Sequence, residues 1–330
     1  MNSKPSTGRI KPIYIIILLL TLVSYDIICQ ETIFPNVPTR MFFQSSILSG
    51  NMEPPYQYRI MKPILGSLLQ WVISIFEKDP FKVHTLSYQF IIFFVFLGIY
   101  SLFYLFLKLF YTEMICIIGL LMLQIIIPLG ITSVWEDGDY YTLLFYLIGL
   151  NLIFRNKDYY LPLIIAIGVF NRDQIIFLLV FYIAYLISEN KLFKKKSVII
   201  ILASCFLWIL VYYGMRYKFG FKESVYTISH NTSTNYNAFG NIAVLWICMV
   251  SVYVILCIKS FRQSNKFFKL AFASLGIYVI LFYFNGIMTQ MAKFLPAFLI
   301  LIPMSLQIFT NEFKGKSNNS KYNPKLQKFL

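Results

Sequence analysis

The chain has 330 residues, of which 58% are apolar, 18% aromatic and only 13% charged. Such a balance excludes a soluble globular domain. The net charge of +15 raises nucleic acid as a partner. The charges, however, fall between apolar runs that recur along the whole length, so they report membrane topology instead. Long unbroken runs satisfy their own backbone in lipid as helices, not as barrel strands.

Lys4, Arg9 and Lys11 precede the first apolar run, residues 12–29, and place the N-terminus on the cytoplasmic side. Ile27, Ile28 and Cys29 offer no small-residue cleavage site, so this first span is expected to be retained. A first outer loop, 30–83, follows. Within it, ILGSLLQWVISIF (64–76) makes a helix of about 20 Å, too short for a comfortable crossing, and is expected to lie in the interface. Crossings at 84–111 and 114–134 return the chain to WEDGDYY on the outer side, and 141–154 leads back to the inner RNKD.

The run 161–187 has basic flanks at both ends. A single crossing would carry KKK outward, so two short helices are expected, with Asn171, Arg172 and Asp173 at the outer tip. Such a broken element is tolerated where it lines a cavity. Crossings at 197–215 and 242–258 flank a polar outer loop, 216–241, and residues 270–309 repeat the hairpin with a tip near NGIMTQMAK. The expectation is an all-α polytopic membrane protein of about ten crossings plus one interfacial helix. It forms a single domain over 1–309 with a basic cytoplasmic tail, 310–330. Alternating sides puts 19 of the 29 Lys and Arg inside with four acids, so 19 − 4 = +15. The outer side has 10 − 10 = 0, and the whole excess is cytoplasmic.

The five cysteines show no CxxC or paired spacing, and His84 and His230 are the only histidines. Neither a disulfide framework nor a zinc site is supported. His84 reads as the outer start of a span and HNTSTNYN as a plain polar loop, with a glycosylation sequon at Asn231-Thr232-Ser233.

The candidate site gathers on the outer side. Asp26 stands about one turn before the end of the first span, where a carboxylate needs a role, a partner or a route to the interface. Arg59 and Lys62, in PPYQYRIMKP, suit a phosphate or a lipid headgroup. Glu136, Asp137 and Asp139 suit a divalent cation, a base or sugar hydroxyls, the plainer alternative being a solvated turn bent at Gly138. Arg172 and Asp173 sit below the surface, as site residues or as a structural ion pair. Lys293 adds one more cation. Acids and cations without a Ser/His or Cys/His pair argue against acyl transfer and proteolysis.

With SYD at 24–26, PYQYRIMKP, WEDGD and FNRD, the chain resembles the polyprenyl-phosphate-sugar-dependent membrane glycosyltransferases of the GT-C fold class. The resemblance implies transfer of a sugar from a polyprenyl-phosphate carrier to an extracytoplasmic glycan or lipid acceptor, in the cytoplasmic membrane with both termini inside. It implies Asp26 as general base, Arg59 and Arg172 on the carrier phosphate, and Glu136, Asp137 or Asp139 orienting the acceptor. The acid-x-Arg pair that the resemblance implies before the last span is replaced by Gln290, Met291, Ala292 and Lys293. A transporter or flippase, or a non-catalytic component of polysaccharide assembly, are the rival readings.

Overall fold

The computed structural model describes residues 12–130, 138–224 and 226–316, the side chains of 129 and 311–316 excepted. It is helical throughout, with no strand among the described residues. Helix α1 (Pro12–Ile28) does not stop at the end of its apolar run. It continues through a π turn, Cys29–Ile33, and a 3-10 turn, Phe34–Asn36, into α2 (Val37–Leu48). The expected outer loop 30–83 is therefore largely helical. After a 3-10 turn at Tyr56–Tyr58 comes α3 (Met61–Ile73), three residues ahead of the expected interfacial segment.

Next are α4 (Pro80–Leu107), α5 (Glu113–Gly130) and α6 (Gly138–Phe154). Asp79 caps α4, its carboxylate accepting from the Phe81 N–H at 2.9 Å, with Pro80 at the first helical position. The expected hairpin is present as α7 (Leu161–Val169), a 3-10 turn at Asp173–Phe177, and α8 (Leu178–Ser188). Its two arms close tightly because Gly168 has no side chain: a Cβ there would lie 2.7 Å from Ile175 Cγ1.

Helix α9 (Lys195–Phe219) leads to α10 (Ile228–Asn237), which lies where a loop was expected. Thr227 starts it by accepting from the His230 N–H. Asn231 and Asn235, wholly buried, turn inward from it. Asn235 donates to the carbonyls of Tyr283 and Gly286 and accepts from Met288 N–H, at 2.7, 2.9 and 2.8 Å. The sequon asparagine is thus packed inside, out of reach of a glycan. Helices α11 (Phe239–Met249) and α12 (Ser251–Ser260) meet at a 51° bend, followed by α13 (Lys266–Asn285) and α14 (Leu295–Lys316). The last helix runs straight past the boundary expected at 309.

Five helical segments are long and apolar enough to cross a membrane, or six if the bent pair α11–α12 counts as one. The apolar helices of α5 to α8 are shorter than a full span. The expected ten crossings thus reduce, by length, to five or six among the described residues. Helix α6 and the apolar part of α14, 295–307, are largely buried and have no polar face toward solvent. Helix α14 packs against α5, α6, α12 and α13, and α6 against α4, α7 and α8. Polar ties cross the apolar packing: Ser24 Oγ lies 2.6 Å from Tyr100 OH, and both bond to Gln124, joining α1, α4 and α5.

Candidate functional site

Four segments distant in sequence meet at one end of the bundle: the 49–60 loop, the hairpin tip, the start of α6 and the end of α9. Met61 N–H donates to the Phe170 carbonyl at 3.1 Å, joining the start of α3 to the tip. Asn171 Nδ2 donates to the Gly138 carbonyl and to Thr142 Oγ1, both at 2.8 Å, joining the tip to α6. Trp208 Nε1 donates to the Asp173 carbonyl at 2.8 Å, joining it to α9. Tyr58 OH donates to the Gly220 carbonyl at 2.8 Å and closes the ring of contacts.

Arg172 is held by Asp139, Nη2 to Oδ2 at 2.9 Å, with both side chains buried. Asp139 lies in the first turn of α6, where the amide ends of the helix favour a carboxylate. The pairing corrects the expected one between neighbours Arg172 and Asp173. Arg172 is extended, φ −155° and ψ 135°, so adjacent side chains diverge. Asp173 is exposed.

Arg59, Arg172 and Arg216 line one open cleft with Asp173, Tyr58 and Tyr212. Arg59 is half-buried, its guanidinium 5.0 Å from the Tyr56 ring centroid. Burial first, then the Arg172 charge, pull its pKa down to about 10. It stays protonated at neutral pH, in a setting where a bound anion would relieve the repulsion. Burial, then the hydrogen bond with Tyr226, pushes the Tyr56 hydroxyl up to about 12, so that ring is neutral. Guanidinium groups converging on a partly dehydrated cleft suit the oxygens of a phosphate.

Arg216 was not singled out from the sequence. The signal was present: a cation ending an apolar span, four residues after Tyr212. Its guanidinium lies 3.3 Å from the Tyr212 ring centroid and 4.4 Å from that of Tyr58.

The other candidates fall elsewhere. Lys62 lines a neighbouring small pocket with Arg40, Gln44 and Tyr88. Arg40, also missed, is buried, 4.5 Å over the Tyr88 ring. Tyr88 OH donates to Gln44 Oε1 at 3.0 Å, and Gln70 Nε2 lies 2.9 Å from His84 Nδ1. His84, in the opening turns of the spanning-length α4, is buried in this network. Asp26 is exposed on α1, and among the described residues no hydrogen bond or ion pair holds it. Lys293 lies in the tip between α13 and α14, its ammonium 5.3 Å from the Phe282 ring centroid and its carbonyl accepting from Tyr278 OH.

Glu136 and Asp137 lie outside the described residues, and with them the proposed divalent-cation site. Of that acidic trio only Asp139 is described, bonded to Arg172. Among the described residues no cluster of three His, Cys, Asp or Glu could hold a metal. No protein-family model matches the chain, and neither a curated protein nor a solved structure matches it significantly.

Proposed function

We propose that the protein is a membrane glycosyltransferase that moves a sugar from a polyprenyl-phosphate donor to an extracytoplasmic glycan or lipid acceptor. The observation that carries this reading is the pair Arg59 and Arg172, from two separate elements, in the wall of one cleft. In this reading the acceptor O–H attacks the anomeric carbon, the carbon–oxygen bond to the phosphate breaks, and the phosphate departs with the electron pair. Arg59 and Arg172 stabilise that charge as it develops. A carboxylate takes the acceptor proton. Asp26 has this part in the resemblance; Asp173, exposed in the cleft wall, is the alternative that geometry supplies. Asp139 holds Arg172 in place. The protein would act in the cytoplasmic membrane, with both termini on the inner side and the cleft on the outer.

The test is mass spectrometry of lipids retained by the protein in native membrane discs, wild type beside Arg59→Gln. Arg59 is the better choice because among the described residues it has no buried ion-pair partner to strand. A polyprenyl-phosphate sugar held by wild type and lost in the variant supports the reading and identifies the sugar. Bulk phospholipid alone in both would move a transporter ahead of a transferase. Asp26→Asn and Asp173→Asn then separate the two bases, with a loss of roughly 10²–10⁴-fold in rate expected at the true one.

A further inference from the structure

Arg216 ends α9, the most exposed of the five spanning-length helices. It forms a column on one face of that helix with Tyr212 and Trp208, at four-residue spacing. The Tyr212 and Trp208 rings are stacked, 4.8 Å apart at 19°. Trp208 in turn holds the backbone of Asp173 at the hairpin tip. On the loop side the Tyr58 ring faces Arg216, and the Tyr58 hydroxyl is fixed to the Gly220 carbonyl. Two aromatic rings and one bond from Nη1 to the Tyr212 carbonyl, 3.1 Å, set the plane of the guanidinium. No carboxylate pairs with it among the described residues. The cation is favoured where it stands by the carbonyl end of α9.

A stacked guanidinium keeps its N–H edge for a planar or tetrahedral anion. This one is fixed in the cleft wall, and its helix turns Ile209, Leu210, Tyr213 and Tyr217 outward as large exposed apolar side chains. A ligand whose anion sits at Arg216 therefore has an apolar surface beside it for a tail.

We infer that Arg216 is a ligand-binding residue, the third guanidinium on the phosphate of an amphiphile that enters the cleft from the side of α9. The inference rests on the phosphate-site reading above, and adds both a residue and an entry face to it.

The experiment is native mass spectrometry in detergent, titrating dodecyl phosphate and, separately, inorganic phosphate against wild type, Arg216→Gln and Arg216→Lys. Thermal unfolding of each variant is followed in parallel. Gln keeps a planar amide between the rings and loses the charge, whereas Lys keeps the charge. Wild type should bind dodecyl phosphate more tightly than inorganic phosphate. Gln should lose at least about tenfold in affinity, the scale of one charge-assisted hydrogen bond, and Lys should lose less. Equal binding by wild type and a folded Gln variant overturns the role of Arg216, leaving it a clamp on the 49–60 loop. Equal affinity for the two probes overturns entry from the lipid side. Failure of wild type to bind either probe defeats the phosphate-site reading itself. If Gln unfolds, Arg216→Met, which keeps an unbranched apolar stem between the rings, decides: a folded Met protein that loses about tenfold or more supports the charge, and one with wild-type affinity overturns it.

Discussion

At Asp139 and Arg172 a buried ion pair does structural work that a single substitution would misreport. Removing one partner leaves the other charged and out of water, so Asp139→Leu or Arg172→Met alone should cost about 3–5 kcal/mol. The double variant should recover most of that loss, measured by unfolding in detergent. Recovery would show that the losses in the single variants come from the charge left unpaired and not from lost packing. Asn235 is the second such residue. Asn235→Ala loses three hydrogen bonds and should destabilise by roughly 1–3 kcal/mol, read as a lower unfolding midpoint. Chemistry at this scale was partly legible. Arg59, Arg172 and Asp173, which line one cleft, stand out in the sequence as charges in an apolar chain, and so does Asp139, the partner of Arg172. Their pairing was not found, because the extended backbone at Arg172 separates neighbours and joins residues 33 positions apart.

Among the elements, the α7–α8 hairpin was legible from charge alone, since basic flanks at both ends forbid a single crossing. Its tightness depends on Gly168. Gly168→Val would drive a branched side chain into Ile175, itself stiff at Cβ, and should cost about 1–3 kcal/mol. The same variant should weaken phosphate binding, because Arg172 rides on that tip; dodecyl phosphate titration checks it. Helices α2 and α10 were not legible. Both are polar or mixed in composition, and α10 is held by buried asparagines that a sequence shows only as turn formers. Its sequon should stay unmodified: in a glycosylating membrane extract the wild-type chain should show no shift in mass at Asn231.

For the molecule as a whole, the fold class was written in composition and in the placement of Lys and Arg, whereas the number of full-length spans was not. Apolar runs measure hydrophobicity, and α5 to α8 show that a buried apolar helix need not be as long as the bilayer. The topology makes a direct prediction. Phe193, in the basic turn between α8 and α9, and Tyr236, on α10, are both highly exposed. With Cys248 replaced by Ser, Phe193→Cys and Tyr236→Cys should react with a membrane-impermeant maleimide from opposite sides of sealed vesicles. Labelling of both from one side would redraw the path of α9.

The nine residues of α7 span only about 14 Å. A hydrocarbon slab of about 30 Å is not matched by an element this short, so where α7 faced lipid, the lipid would thin or water would dip beside it. Hydrophobic mismatch of this kind would lower the headgroup plane toward the hairpin tip. An amphiphile anchored by long tails could then meet Arg172 without being lifted out of its leaflet, and short-chain bilayers would suit this protein better than thick ones.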